Sequence, residues 1–133
     1  MLSESQARVI MQFKAPKNTE KYEWTRHAVI KMKQYGLTAQ RILRVVKNPQ
    51  RVEEGIVKNT VAVMQPSSLI TKDGKRVWTR EIWAMYQSKG KSESENQKTI
   101  GLQKIRLISA WRYPGVSPKR DPIPEEILRE LDL

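Results

Sequence analysis

The stretch from residue 25 to residue 36 has the apolar spacing of an amphipathic helix. Its apolar stripe consists of Ala28, Val29, Met32 and Tyr35. Thr25 can cap the start of the helix, and Gly36 can end it in the left-handed conformation that glycine tolerates. The pattern therefore predicts a helix from Arg26 to about Tyr35.

A second helix is predicted directly after the first. Thr38 is placed to cap it, and Pro49 follows the point where it should end. Its buried side would carry Ile42, Leu43, Val45 and Val46. Two short helices joined by a tight turn should therefore form one layer.

The pattern then changes to one that is typical of strands. The predicted strands are RVEEGIV, NTVAVMQ, RVWTREIWAMYQ and TIGLQKIRLISAWRY, and RVWTREIWAMYQ is rich in β-branched and aromatic residues. Asp73 and Gly74 provide a hairpin turn signal, and the polar stretch SKGKSESENQK predicts a loop. Helices followed by a run of strands are typical of an α+β fold. We expect two N-terminal helices on a roughly four-stranded antiparallel sheet, whose other face stays open and polar.

The two ends of the chain differ from this middle part. Residues 1–21 form an ambiguous tail or accessory element, in which Val9, Ile10, Met11 and Phe13 fit either a short helix or an edge strand. Residues 114–133 contain four prolines and then a short acidic helix with Ile127, Leu128 and Leu131 on one side. So short a helix is unstable alone, and we expect it to dock on its own domain. The alternative is a weak acidic lid over a basic cleft. Residues 22–113 would form the core domain.

Charge and composition narrow the function. The net charge is +11, and because residues 121–133 carry −4, the preceding residues carry +15. Such a charge predicts attraction to polyanions, of which nucleic acid is the most common. The absence of cysteine excludes disulfides and thiolate metal sites. No segment has the pattern of a secretory signal or a membrane span, so we expect a soluble cytoplasmic protein.

The segment WTRHAVIKMKQYGLTAQRILRVVKNPQRVEEG resembles the opening of a family of uncharacterised small bacterial domains. Their pattern is a histidine, a short helix, a glycine, a second helix and Asn-Pro. The layout is similar to BrnT-type toxins and more distantly to RelE-type ribonuclease toxins, and KIRLISAWR resembles the last core strand of BrnT-like proteins. The resemblance covers 22–113. It implies a RelE/BrnT-like fold and metal-independent RNA cleavage without a cofactor. It also implies an acidic or DNA-binding antitoxin as a partner.

His27 is the only histidine and is predicted to lie in the first turn of the first helix. The helix dipole disfavours imidazolium there, so a neutral ring could act as general base on a ribose 2′-hydroxyl. The alternative is that His27 only orients the helix or forms a hydrogen bond with a nearby carbonyl. The predicted phosphate clamps are Arg80, Arg106 and Arg112. Tyr113 is the predicted proton donor.

Further residues are predicted to bind RNA. They are Arg26, Lys31, Arg76, Lys104 and Trp111. Strand periodicity predicts that Lys104, Arg106 and Arg112 share one side of the last strand. We assign Trp83 to the core and leave Trp78 and Trp111 open between core and base stacking.

The sequence leaves three function classes open. The first is a toxin-like endoribonuclease whose cleft joins the open sheet face to the start of the first helix. The second is a non-catalytic binder of nucleic acid. The third is a protein-interaction module with a basic face for an acidic partner.

Overall fold

The structure is a computed structural model that describes residues 13–55, 59–89, 104–118 and 123–131. These residues form seven strands and three helices. The strands are β1 (Tyr22–Trp24), β2 (Arg51–Glu54), β3 (Thr60–Pro66), β4 (Leu69–Lys72), β5 (Lys75–Trp78), β6 (Arg80–Lys89) and β7 (Lys104–Pro114). The helices are α1 (Arg26–Tyr35), α2 (Ala39–Lys47) and α3 (Glu125–Glu130). Residues 1–12, most of the predicted polar loop and the start of the last predicted strand lie outside the described residues.

The predicted ends of α1 and α2 are confirmed. The Thr25 side chain accepts a hydrogen bond from the Ala28 amide, as an N-cap does. Gly36 ends α1 with a φ of 67°, a left-handed conformation that side chains with a Cβ disfavour. The Thr38 side chain caps α2 by accepting from the Arg41 amide. Local sequence therefore determines this helical pair.

The main sheet has five strands in the order β1-β7-β6-β3-β2. β1 runs parallel to β7, and the other neighbours are antiparallel. β4 and β5 form a separate hairpin. Both central residues of its turn have positive φ, 52° at Asp73 and 75° at Gly74, which is the type I′ turn that Asp-Gly predicts.

The predicted four-stranded antiparallel sheet is therefore wrong. The fold is α+β, but its sheet is mixed and a short parallel strand lies at its edge. β1 spans three residues, too few to show an alternating pattern, and its partner Ile105–Leu107 lies 83 residues further along the chain. Nothing in the local sequence predicts that pairing.

Both faces of the sheet are buried, so the predicted open polar face is also wrong. One face packs against α1 and α2 through Val63, Ile82, Ala84, Leu107 and Ala110. The other face consists of Ala62, Met64, Trp83, Met85 and Trp111, with Ile127 of α3 packed on it. β6 has consecutive apolar residues from Ile82 to Tyr86, which supplies both faces at once.

Two tryptophans form the centre of this second face. Trp83 and Trp111 are fully buried and stack with ring centroids 5.8 Å apart. The assignment of Trp83 to the core is confirmed. Ile127 is also fully buried, so α3 docks on its own domain, as expected.

A buried carboxylate lies beside the tryptophans. Glu81 is fully buried and accepts hydrogen bonds from the indoles of Trp78 and Trp83 and from the Ser117 hydroxyl, at 2.8, 2.9 and 2.6 Å. An Arg51 nitrogen lies 3.8 Å from the carboxylate. These groups compensate the buried negative charge. Their contacts with Glu81 connect β2, β5, β6 and the segment after β7.

In the part of the chain that the structure describes, no helix is long and apolar enough to cross a membrane.

Candidate functional site

The strand register places three side chains in one row across the sheet. Gln65 lies opposite Ile82, and Ile82 lies opposite Arg112. Directly opposed residues point to the same face, and Ile82 belongs to the core under the helices. Arg80 lies two residues before Ile82 and therefore projects from the same face at the start of β6.

Helix α2 adds two arginines above this row. Arg41 and Arg44 are three residues apart and so lie on one side of the helix. The Arg41 guanidinium donates a hydrogen bond to the Gln65 side chain, which ties the start of α2 to β3. Arg41, Arg44, Arg80 and Arg112 are called the arginine cluster below.

The members of the arginine cluster repel one another. Burial lowers the pKa of Arg41, and the charges of Arg44 and Arg112 lower it further. Burial likewise lowers the pKa of Arg112, with an added effect from Arg80. Among the described residues, no carboxylate lies within ion-pair distance of any of the four. The arginine cluster is therefore a concentrated positive charge that no carboxylate of the described residues neutralises.

The four arginines differ in what else they contact. The Arg112 side chain donates to the carbonyls of Tyr35 and Gly36, at 2.7 and 3.3 Å. These are carbonyls at the C-terminus of α1, where a positive charge is favourable. Arg44 and Arg80 are exposed. In the described structure, neither guanidinium has a side-chain partner, so both are available to an anion.

His27 lies between three elements at the other end of α1. Its Nε2 is 3.0 Å from the Ser109 hydroxyl on β7, and its Nδ1 is 3.9 Å from a carboxylate oxygen of Glu130 on α3. Burial lowers its pKa, Glu130 raises it and Lys31 lowers it. The ring is thus held neutral at pH 7, but Nε2 is engaged by a fully buried hydroxyl and Nδ1 faces Glu130. This geometry joins α1, β7 and α3.

Lys31 lies next to His27 but does not face solvent. Its side chain is 1% exposed, and its Nζ lies 2.6 Å from Glu130 and 2.8 Å from the Gln34 side chain. The predicted role of Lys31 in binding RNA requires an exposed ammonium group. In this structure, its charge is already neutralised by α3.

His27 and the arginine cluster do not form one cleft. Arg112 binds the carbonyl of Gly36, nine residues after His27. At about 1.5 Å per helical residue, the separation along α1 is roughly 13 Å. A phosphate held by Arg112 therefore lies too far from His27 for proton transfer.

A β-bulge separates Arg106 from Arg112. The register of β6 and β7 shifts between Met85 and Tyr86. Arg106 lies opposite Gln87 and Arg112 opposite Ile82, so their side chains point to opposite faces. The prediction that they share one side is wrong because the extra residue reverses the alternation. Arg106 instead forms an ion pair with Glu23 at 2.7 Å.

The structure distributes the other predicted residues over the molecule. Arg26 is exposed at the start of α1, Arg76 is exposed on the β4–β5 hairpin, and Lys104 is half-buried at the start of β7. Tyr113 is half-buried against the tryptophan core. Trp111 has no exposed ring surface for base stacking. Of the predicted site residues, Arg80 and Arg112 come together in the arginine cluster, and His27 and Lys31 come together at Glu130.

Sequence reasoning missed Arg41 and Arg44. Two arginines three residues apart on the polar side of α2 were the available signal, but many solvated helices have the same spacing. The contacts of His27 with Ser109 and of Lys31 with Glu130 connect residues 82 and 99 positions apart, for which the sequence has no signal. Within the described residues, no group of histidine and acidic side chains is suited to hold a metal ion.

Comparisons of the chain with family models, with curated proteins and with solved structures found no match.

Proposed function

We propose that the protein binds RNA and that the arginine cluster holds its phosphate backbone. The observation that carries this proposal is the convergence of four guanidinium groups, two of them half-buried, with no described carboxylate within ion-pair distance. One guanidinium group can donate two parallel hydrogen bonds to two phosphate oxygens. A bound anion would also relieve the mutual repulsion of the arginine cluster. The net charge of +11 supports a polyanionic partner. The resemblance to ribonuclease toxins favours RNA in the cytoplasm as that partner.

We infer binding rather than cleavage. A general base must lie within hydrogen-bonding distance of the proton that it removes. His27 lies at the far end of α1 from the cluster, and its Nε2 contacts a buried hydroxyl. RNA incubated with the purified protein should therefore keep its length, and shortened products would favour the ribonuclease alternative.

The double substitution Arg44→Ala and Arg80→Ala tests the proposal. Both side chains are exposed, so the fold should persist while two phosphate contacts are lost. Each lost contact to single-stranded RNA should reduce the slope of log affinity against log salt by about 0.7. The measurement is fluorescence anisotropy of labelled RNA over a series of salt concentrations, and the expected reduction is about 1.4.

The matched control is Lys14→Ala with Lys17→Ala, which removes two exposed charges from the segment before β1. It should leave the slope almost unchanged. If both double variants reduce affinity and slope equally, binding depends on total charge and the cluster is not a site. If the wild-type protein does not bind RNA at all, the proposed function is wrong.

A further inference from the structure

The β4–β5 hairpin has one face that points away from the body of the protein. On its inner face, the Trp78 indole donates to Glu81 and the ring packs against the tryptophan core. Ile70 lies opposite Val77, and Lys72 lies opposite Lys75, so these four side chains share the other face. That outward face therefore has an apolar pair near the base of the hairpin and a lysine pair near its tip.

The outward face is exposed and chemically mixed. Ile70 is 56% exposed and Val77 is 37% exposed. Lys72 and Lys75 are exposed as well. β-branched residues with this exposure leave apolar surface in contact with water, whereas the lysines keep the surface attractive to anions. The combination suits a ligand that presents both negative charge and flat apolar surface.

The base of the hairpin adjoins Arg80, one member of the arginine cluster, along the chain. Thr79 alone separates Trp78 from Arg80. The Ser67 amide donates to the Arg80 carbonyl at 3.1 Å, and the Gly115 amide donates to the Thr79 carbonyl at 2.6 Å, which fixes the base of the hairpin to the main sheet. With four residues in each strand, the hairpin extends about 13 Å from that base.

We infer that the outward face of the hairpin binds the unpaired bases of single-stranded RNA whose backbone lies on the arginine cluster. This inference rests on the proposed function and specifies its substrate. Ile70 and Val77 contact base faces, while Lys72 and Lys75 pair with the phosphates that follow. A length of about 13 Å is enough for more than one nucleotide beyond Arg80.

Single-stranded RNA fits this face better than a duplex does. In an RNA duplex, the bases are stacked inside and the major groove is deep and narrow, so apolar side chains of a hairpin meet only backbone. In a single strand, the base faces are open to apolar contact, and this contact depends little on base identity. The specificity should therefore be for strandedness rather than for sequence.

Two pairs of substitutions separate the apolar and the charged contributions. Ile70→Ser with Val77→Ser should weaken binding of a short polyuridine strand by about tenfold and leave the salt slope unchanged, because no charge is lost. Lys72→Ala with Lys75→Ala should reduce the salt slope by about 1.4. The matched control for the apolar pair is Ile30→Ser with Val52→Ser, two residues that are 52% and 60% exposed elsewhere. Melting temperatures check that each variant is folded.

The same anisotropy measurements use a polyuridine strand and an RNA duplex of equal length. The inference requires that the wild-type protein prefer the single strand and that Ile70→Ser with Val77→Ser remove the preference. Equal affinity of the wild-type protein for both RNAs would overturn it, as would equal effects of the hairpin pair and its control. If the hairpin variants lose binding to anionic lipid vesicles while their RNA binding stays intact, the hairpin would instead be assigned to a membrane surface. In each of these cases, sensitivity to Arg44→Ala with Arg80→Ala would leave the proposed function standing.

Discussion

Glu81 is the residue whose environment is most completely determined. A fully buried carboxylate is costly unless donors surround it, and here two indoles and a hydroxyl donate to it while Arg51 neutralises it. The structure thus uses an acidic residue as a junction between strands rather than as a catalyst.

We expect Glu81→Gln to destabilise the protein by about 3 kcal/mol, because it removes the buried charge that faces Arg51 and replaces one acceptor by a donor. Urea denaturation of the two proteins measures the change. Glu54→Gln, an exposed substitution on β2, is the control and should alter the free energy of unfolding by less than about 0.5 kcal/mol. Equal effects of the two substitutions would contradict the role given to Glu81.

The lowered pKa of His27 predicts how stability depends on pH. Its pKa in the folded state lies below the ordinary histidine value of 6.5, so the unfolded state binds the proton more tightly. The free energy of unfolding should therefore fall as the pH decreases below about 6.5. His27→Gln should remove that part of the dependence, which chemical denaturation between about pH 8 and about pH 5.5 would show. A wild-type free energy of unfolding that rises as the pH decreases over this interval would refute the prediction.

At the scale of elements, the helix caps and the hairpin turn could be predicted from the sequence, but the long-range strand pairing and side-chain contacts could not. Thr25, Gly36 and the Asp73-Gly74 turn act on neighbours within four residues, so the sequence shows them directly. The parallel pairing of β1 and the contact of His27 with Ser109 depend on tertiary structure. The bulge in β7 has the same limitation. One inserted residue moved Arg106 to the opposite face, which local periodicity could not foresee.

The candidate site was predictable only in part for the same reason. Arg80 and Arg112 were predicted as phosphate ligands, but the register of three strands and the position of α2 decide which residues join them. Apolar runs in β6 could also have indicated that both sheet faces are buried. The expectation of an open face instead assumed that apolar and polar residues alternate along every strand.

Helix α3 should contribute to stability through one side chain. Ile127→Ala removes a fully buried side chain from the tryptophan core, and we expect a loss of about 2–4 kcal/mol. Thermal or urea unfolding measures the change, with Arg129→Ala as the exposed control on the same helix. If Ile127→Ala leaves stability unchanged while RNA binding at low salt becomes tighter, α3 acts as an acidic lid and is not a packed element.

At the scale of the whole molecule, a net charge of +11 opposes folding. Salt should therefore raise the melting temperature over the range where the Debye length falls towards about 8 Å. Arg44→Ala with Arg80→Ala should raise the melting temperature at low salt and reduce its further rise with salt. Differential scanning calorimetry of both proteins at matched salt concentrations tests this, and a salt-independent melting temperature of the wild-type protein would contradict it.

The parallel pairing of β1 has a consequence for synthesis on the ribosome. Tyr22–Trp24 emerge early, but their ladder partner Ile105–Leu107 is translated 83 residues after Trp24. At roughly 5–20 residues per second, the segment waits for about 4–17 s. During this interval, the helical pair can already form from its local caps, whereas the sheet edge cannot close. Completion of the main sheet is therefore coupled to the translation of β7, and a nascent chain arrested before that point keeps β1 unpaired with β7.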